Sequence, residues 1–467
     1  MALRSKRIRY LAKNTAIFAV GNMGTKLISF FLVPLYTNVL STDQYGVADF
    51  VHTICMVLAP VIVLNIGESI MRFALDKDAD YDQIMSIGVV LFVGSLVVGL
   101  AIIPLAQCIE GLSEYAIYIY LYTVSLAGSQ ILLCYLRGKE QLVEYAIGSI
   151  VQTAGIAGFN ILYLLVLGQG LHGYFKAYII ASVITMIYAF FVGRVFGVLR
   201  RLRFNLDLAK EMIKYSVVLI PNTFMWWIIN SSDRVLITAL LGAAANGIYA
   251  VSYKIPSVVS VIASIFNQAW GYSAIHEDES EDRDSYSNTI YKGLVAISVI
   301  SGISLLLIIK PFMGVYVEAS YYEAWRYTPF LIIGNVFMTT GTFLASWYTV
   351  NKDSKGYLFS ATCGAVVNVV LNLALMPLLG ITGSALATCV SYITVFVYRV
   401  RDTKKYITIE VMSHRYVLAY VVLFLSGATL FIDGIVGELL ILAELAVAVA
   451  LFRDVWMPVL KKVAKKR

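Results

Sequence analysis

Long apolar runs separated by short polar breaks extend along almost the whole chain. About 20 consecutive apolar residues are enough for a helix to cross the hydrocarbon core of a bilayer. Because lipid offers backbone N–H and C=O groups no hydrogen-bond partner, runs of this kind are expected to be helical. The pattern predicts about 14 transmembrane helices, at 14–38, 45–71, 84–107, 115–136, 142–168, 172–195, 213–241, 247–272, 290–310, 325–350, 357–378, 382–400, 416–433 and 438–457.

The composition favours an all-α polytopic membrane protein. Of the 467 residues, 59% are hydrophobic and 14% are charged, against about 45–50% and about 25% in an ordinary soluble domain. The five cysteines lie in apolar runs without a CxxC spacing, and the four histidines are scattered, so we expect no metal site and no cofactor. The sequence has no evident nucleophile–base set, and its longest predicted outer loop, 317–326, is short. We therefore do not expect an enzyme.

Basic side chains are concentrated in alternate loops. One set of loops, at 4–13, 137–139, 194–210, 352–355 and 399–405, is rich in Lys and Arg, whereas the opposite loops contain Arg326 as their one basic residue. Because positively charged loops remain in the cytoplasm, both termini are predicted to be cytoplasmic. The net charge of +7 follows from this bias and gives no reason to expect a nucleic-acid partner.

Two pairs of segments resemble each other at one spacing. KNTAIFAVGN from Lys13 matches KYSVVLIPNT from Lys214, and LSTDQYGVADF from Leu40 matches LGAAANGIYAV from Leu241, both 201 residues apart. Two six-helix halves inserted in the same orientation would be related by a pseudo-two-fold axis along the membrane normal, as in some transporters. We predict an N-terminal six-helix lobe at 1–200, a C-terminal six-helix lobe at 201–405, and two extra helices with a basic tail at 406–467.

A few charged residues lie deep within the predicted helices. A charge at the bilayer centre costs about 2.5–3.5 kcal/mol on insertion scales, so such residues usually face a cavity or a partner. Spacings of three and four residues place them beside other polar side chains on one face of a helix. The faces of the first, second, seventh and eighth helices are predicted to line a central polar cavity. The residues that these helices carry toward it are Asn22, Lys26, Glu68, Arg72, Trp226, Asn230, Asp233, Arg234 and Lys254, and Asp49 lies near the outer end of the second helix.

Four of these residues are cations, and three of the four favour an anionic ligand. Lys26, Arg234 and Lys254 would attract a diphosphate, because Arg grips phosphate bidentately and Lys acts as a point charge. Trp226 shares a helix face with Arg234 and is a candidate to stack on a sugar ring, although core packing explains it equally well.

The carboxylates leave alternatives open. Asp233 and Arg234 could instead form a structural interhelical pair, and Glu68 with Arg72, one turn apart, a local ion pair. Asp49 could instead cap the second helix or lie among the outer lipid head groups. Asp49, Glu68 and Asp233 are candidates to couple transport to protons or sodium.

Two stretches resemble the polysaccharide-transporter branch of the MOP exporter superfamily, the Wzx-type flippases of lipid-linked oligosaccharides. They are KNTAIFAVGNMGTKLISFFLVPLYTNVLSTDQYGVADF from Lys13 and INSSDRVLITALLGAAANGIYAVSYKIP from Ile229. The resemblance implies a MATE-like fold of two six-helix lobes around a cavity that opens alternately to each side. It also implies that cavity cations, here Lys26, Arg234 and Lys254, hold the substrate diphosphate.

The implied activity is translocation of an undecaprenyl-diphosphate-linked oligosaccharide across the bacterial cytoplasmic membrane, for O-antigen, capsule or exopolysaccharide synthesis. The implied partners are the lipid-linked glycan, membrane lipids, a polysaccharide polymerase and other assembly proteins. By likeness to the lipid II flippases, the last two helices would form a groove for the lipid tail. That branch has arginines in its first helices, whereas Lys26 is the only deep cation of the first helix here, which disfavours lipid II as substrate.

A cation-coupled multidrug or small-molecule exporter of the MATE type is the alternative function. Such a protein should place carboxylates deep in its cavity, and in this sequence the deep cations slightly exceed the deep anions. A purely structural membrane role would not require these charges, and it predicts that neutralising Lys26 or Arg234 leaves function intact.

Overall fold

The protein is helical throughout the part that the structure, a computed structural model, describes: residues 28–76, 78–109, 111–276, 282–351 and 353–457. Side chains at 222, 226, 229, 258–259, 261–269 and 271–276 lie outside this description. The helices are α1 (Ile28–Val39), α2 (Thr42–Ile62), α3 (Ile66–Ala74), α4 (Tyr81–Gly99), α5 (Ile102–Gln107), α6 (Ala116–Gly138), α7 (Leu142–Asn160), α8 (Gly170–Val192), α9 (Val195–Arg200), α10 (Leu206–Leu241), α11 (Ala243–His276), α12 (Arg283–Tyr316), α13 (Thr328–Val350), α14 (Ser354–Leu379), α15 (Ile381–Asp402), α16 (His414–Thr429) and α17 (Ile435–Leu451).

The helices have the length and apolarity of membrane spans. Within the described residues, nine helices are long and apolar enough to cross a bilayer. The number is ten if α10 counts as one span, although it is bent by 60° between Met225 and Asn230. The predicted all-helical, multi-pass architecture is confirmed. The total of about 14 spans stays a prediction, since the first predicted helix begins outside the described residues.

The chain divides into two compact units, Met1–Thr238 with Gly242–Gly247, and Ala239–Leu241 with Ile248–Arg467. These units are defined by packing, whereas the lobes predicted at 1–200 and 201–405 are defined by the sequence repeat. The lobe boundaries and the separate segment 406–467 therefore stay predictions.

In the first unit, α6 lies at the centre and packs against α2, α3 and α8. Small residues permit this close packing: a Cβ at Gly138 would lie 2.6 Å from the Cβ of Ala74. The buried hydroxyls of Ser125 and Ser129 donate to carbonyl oxygens three residues earlier, at 3.1 and 2.9 Å. Such bonds satisfy polar groups within the helix, as a lipid environment requires.

The helix predicted at 45–71 is broken, and this prediction was wrong in its continuity. Between α2 and α3, Leu64 and Asn65 adopt left-handed backbone conformations with φ of 52° and 54°. The N–H of Asn65 donates to the carbonyl of Pro60 at 2.6 Å, which closes a wider turn than that of an α-helix. The sequence marks a bend here through Pro60, but it does not reveal a complete break.

In the second unit, α15 packs between α13 and α14, and the pair α16–α17 packs on α12. Arg399, which the sequence places in a basic loop, lies in the last turn of α15 and is 1% exposed. Its guanidinium donates to the Ser360 hydroxyl and the Gly341 carbonyl, both at 3.1 Å. It therefore joins three helices of this unit.

Candidate functional site

The predicted site residues fall into two groups with respect to the described part of the chain. Asn22 and Lys26 lie outside the described residues, as does the side chain of Trp226. The other predicted residues are described, and most of them lie in the first unit, along α2, α3 and α10.

Arg234 on α10 forms an ion pair with Asp49 on α2. The Arg234 Nη1 lies 3.2 Å from the Asp49 Oδ1, and the two side chains are 14% and 5% exposed. Asp233 is buried, and its Oδ1 accepts the backbone N–H of Arg234 at 3.0 Å. Arg234 is thus paired with a carboxylate 185 positions away in the sequence. Because opposite charges pair when they are removed from water, this ion pair explains how Asp49 and Arg234 are tolerated within the membrane.

A second link joins α10 to α2 close to this pair. The indole N–H of Trp227 donates to the Thr53 carbonyl at 3.0 Å, and the ring of Trp227 packs on Phe224 with centroids 5.7 Å apart. Because Thr53 lies one turn beyond Asp49, the ion pair and this bond fasten the same stretch of α2.

Beyond the ion pair, the two copies of the sequence repeat touch each other. A Cβ at Gly46 would lie 1.8 Å from the Ala243 carbonyl oxygen, and a Cβ at Gly247 would lie 2.2 Å from that of Thr42. Gly46 and Gly247 are 201 residues apart, and so are Thr42 and Ala243. The contact is therefore reciprocal between equivalent positions, as expected about a local two-fold axis.

The buried Asn246 strengthens this glycine contact, since its side-chain amide donates to the Gly46 carbonyl at 2.9 Å. We call the set of Gly46, Asp49, Arg234, Asn246 and Gly247 the closed contact. It lies at the ends of α2 and α10 that the loop charges predict to be on the outer side.

At the opposite end of the same helices, the first unit contains a cavity of about 610 Å³. We call it the broken-helix cavity, because the break between α2 and α3 forms one wall. Its polar and aromatic lining consists of Asn65, Glu68, Gln130, Cys134, Arg137, Tyr145, Tyr215 and Thr223. The Asn65 amide reaches the Thr223 hydroxyl at 3.5 Å, where α10 approaches the break.

Glu68 and Arg72 separate in the structure, although they are one turn apart in sequence. Glu68 is half-buried and lines the cavity. Arg72 is 53% exposed and pairs with Asp76 at 2.6 Å. The local Glu68–Arg72 pair is therefore replaced by an Arg72–Asp76 pair, and Arg72 lies at the surface.

Lys254 and Asn230 stay individual candidates. Lys254 is half-buried on α11 in the second unit, where its backbone carbonyl accepts the Ser257 hydroxyl at 2.6 Å. Asn230 is exposed on α10, just beyond the bend. Their roles toward a substrate, like those of Lys26 and Trp226, stay predictions. No group of three or more His, Cys, Asp or Glu side chains within the described ranges could hold a metal ion.

Sequence comparison places the chain in a family. Residues 11–270 match the family described as polysaccharide biosynthesis protein, which is more than half of the chain. The chain belongs to this family. The chain is also 21% identical over 428 residues to an uncharacterized membrane protein of Methanocaldococcus jannaschii, covering 85% of this chain and 99% of the relative.

The fold is shared with solved transporters. The lipid II flippase MurJ in an inward closed conformation matches with a TM-score of 0.68 and 12% identity, covering 97% of this chain and 99% of that one. An inward-facing multidrug resistance MATE family transporter of the MOP superfamily matches with a TM-score of 0.62 and 12% identity, covering 83% of this chain and 95% of that one. The predicted MATE-like fold is thus confirmed, and the predicted polysaccharide family agrees with the family match. At these identities the solved structures show the fold alone.

Several residues of the closed contact and of the cavity are not predicted from the sequence. Gly46, Gly247 and Asn246 lie in the repeat that was recognised, and a glycine at the same position of both copies was the available signal. Arg137 follows an apolar run, which predicts a loop position, yet it lies in the last turn of α6 and lines the cavity. Gln130 lies inside that run and gave no signal of its own.

Proposed function

We propose that the protein is a flippase that carries an undecaprenyl-diphosphate-linked oligosaccharide from the cytoplasmic to the outer leaflet by alternating access. The observation that carries the proposal is the contrast within the first unit. α2 and the segment from Arg234 to Gly247 meet at one end, and a polar cavity lies at the other. A protein of a polysaccharide biosynthesis family with this arrangement is well suited to receive a polar head group from one side only.

In this mechanism the closed contact is the outer gate. Opening it requires separation of Gly46 from Gly247 and rupture of the Asp49–Arg234 pair. A ligand can drive such a change only through its different affinity for the two states. A diphosphate provides that difference, because it can replace the Asp49 carboxylate as the anionic partner of Arg234.

The setting of this activity is part of the proposal. The basic loops support cytoplasmic termini in a bacterial inner membrane, and the family supports a role in surface polysaccharide synthesis, beside a polymerase and other assembly proteins. The glycan could belong to an O-antigen, a capsule or an exopolysaccharide.

A MATE-like exporter of cationic small molecules is the second candidate. The specific observation in its favour is the pair of buried carboxylates, Asp49 and Asp233. Asp49 is already paired with Arg234, however, which leaves less negative charge for a cationic ligand. Resistance to cationic drugs in cells that overproduce the protein, absent from an Asp233→Asn variant, would favour this candidate.

Complementation of cells that lack their own flippase tests the proposal. We expect the wild type to restore surface glycan, and Lys26→Ala, Arg234→Ala and Lys254→Ala to lower it while the lipid-linked intermediate accumulates inside. Lys310→Ala is the control, because Lys310 pairs with Asp433 at 3.0 Å at the surface. Normal export by all three variants, at normal membrane levels, would refute the diphosphate role of these cations.

A further inference from the structure

The broken-helix cavity has a lining that differs from that of a phosphate site. Its charged groups are one carboxylate, Glu68, and one guanidinium, Arg137. A carboxylate in a half-buried wall repels phosphate, and this repulsion is stronger than it would be in water. The cations that suit a diphosphate lie elsewhere: Arg234 belongs to the closed contact at the other end of α10.

The same lining fits a polyhydroxyl ligand. A sugar hydroxyl both donates and accepts a hydrogen bond, and the planar amides of Asn65 and Gln130 do the same. Glu68 accepts and Arg137 donates, so the four side chains together offer both functions in fixed planes. Among the described residues, the Glu68 carboxylate and the Gln130 amide take part in no hydrogen bond, so both are available to a ligand.

Two aromatic side chains complete the site. Tyr145 and Tyr215 line the cavity from α7 and α10, and the guanidinium of Arg137 lies 5.4 Å from the centre of the Tyr145 ring. An aromatic ring offers a flat apolar surface with a polar hydroxyl at its edge, which matches a sugar ring with its C–H face and peripheral hydroxyls. The cavity volume of about 610 Å³ lies within the range of about 300–1,000 Å³ that is typical of small-ligand pockets.

Binding of a ligand in this cavity explains why the second membrane span is broken. A left-handed backbone conformation is strained for an L-residue, and two such non-glycine residues, Leu64 and Asn65, follow each other here. Strained conformations of this kind concentrate at ligand sites, and irregular backbone at membrane depth is tolerated where it lines a cavity. The break turns Asn65 and Glu68 toward the space that Gln130 and Arg137 face from α6.

We propose that the broken-helix cavity binds one or two sugar rings of the lipid-linked glycan, apart from Arg234 at the other end of α10. This assignment rests on the flippase function proposed above. It makes the cavity the place where the head group is selected for its sugar, while Arg234 and the other cations recognise the part that all such lipids share.

Binding to the full-length protein in lipid nanodiscs tests the assignment. The probes are undecaprenyl diphosphate bearing one N-acetylhexosamine and undecaprenyl methyl diphosphate, which has the same diester charge and no sugar. Each hydrogen bond to a ligand contributes about 0.5–1.5 kcal/mol, and 1.4 kcal/mol is tenfold in affinity. We therefore expect the wild type to bind the sugar-bearing lipid about tenfold more tightly.

Gln130→Ala and Glu68→Gln should each reduce that preference to about twofold and leave the affinity for the methyl lipid unchanged. Gln152→Ala is the matched control, since Gln152 lies on α7 outside the cavity lining, and it should keep the tenfold preference. Thermal unfolding of each variant checks that it is folded.

The outcomes separate the two levels of the proposal. Equal affinity of the wild type for both lipids, or equal weakening of both by Gln130→Ala, overturns the sugar assignment and leaves the flippase function standing. Failure of the folded wild type to bind either lipid overturns both. A sugar preference that Gln130→Ala and Glu68→Gln leave at tenfold also overturns the assignment to this cavity.

Discussion

The two ends of α2 and α10 in the first unit are built in opposite ways. At the closed contact, glycines let backbone meet backbone, and Asp49 and Arg234 neutralise each other. At the broken-helix cavity, Pro60 and two left-handed residues interrupt the helix, and larger polar side chains surround an open space. Side-chain size and backbone continuity, rather than hydrophobicity, therefore distinguish the closed contact from the cavity along one pair of membrane helices.

The largest effect is expected from filling the closed contact. In Gly46→Val the added Cβ would lie 1.8 Å from the Ala243 carbonyl, which backbone atoms cannot accommodate without separating. Overpacking of this kind costs about 1–3 kcal/mol or more, enough to shift a two-state equilibrium about tenfold. We expect glycan export to fall at least about tenfold in the complementation assay.

Gly94→Val is the matched control for that variant. A Cβ at Gly94 on α4 would meet nothing within 4 Å, so export should stay near the wild-type level. Equal loss in both variants would show that valine in a membrane helix is harmful in itself, and would remove the special role of the closed contact.

The next largest effect should come from the ion pair. Removing one member of a buried pair leaves an uncompensated charge and costs about 3–5 kcal/mol, so Asp49→Asn or Arg234→Gln alone should lower the thermal stability of the purified protein. The double variant should recover most of that stability, because no charge is left unpaired. If Arg234 also contacts the diphosphate, the double variant still fails in export. Recovery of both stability and export would make the pair purely structural.

A smaller effect is expected for cavity access. Gln130→Cys, in a background without other cysteines, should react with a membrane-impermeant maleimide from the cytoplasmic side, because Gln130 lines the cavity. Cys55 as the single cysteine is the control, since it is fully buried on α2. Faster labelling of Gln130→Cys in inverted vesicles than in right-side-out vesicles checks the orientation; the reverse ratio would place the cavity on the outer side.

The smallest effect concerns Asp353, which lies between α13 and α14 and outside the spans compared above. The backbone N–H of Gly356, the Tyr406 hydroxyl and Lys405 together lower the pKa of Asp353 to about 2 from its usual 3.8. A lowered carboxyl pKa adds stability above the unfolded value, and that stability is lost as pH falls through the folded value. Protection of residues 403–407 from hydrogen exchange should therefore weaken between about pH 4 and pH 2. Asp353→Asn should abolish this pH dependence.

The sequence predicted the features that depend on local pattern. Apolar runs predicted the helices, and the spacing of 201 residues related Gly46 to Gly247 before any contact was known. The motifs around those glycines indicated the family that the comparison then confirmed. Such signals are short-range, so a single sequence is sufficient to reveal them.

The features that depend on long-range packing were not predictable in the same way. The sequence offers Asp233 as an ion-pair partner for Arg234, whereas in the structure Arg234 pairs with Asp49 on another helix. The distribution of basic residues predicts that Arg137 and Arg399 lie in loops, because the loop rule considers charge alone. In the structure Arg137 lines a cavity, and Arg399 is buried and donates hydrogen bonds to two other helices. The break at Leu64 contains no glycine, so the sequence does not indicate its left-handed backbone.

Translocation in proteoliposomes tests the central claim most directly. Undecaprenyl diphosphate bearing an N-acetylhexosamine is placed in both leaflets, and the fraction that a sugar-modifying enzyme reaches from outside is followed with time. We predict rapid, complete modification with the wild type and Gly94→Val, and modification of only the outer half with Gly46→Val. If the wild type behaves like protein-free vesicles while it transports a cationic drug, the flippase account is contradicted.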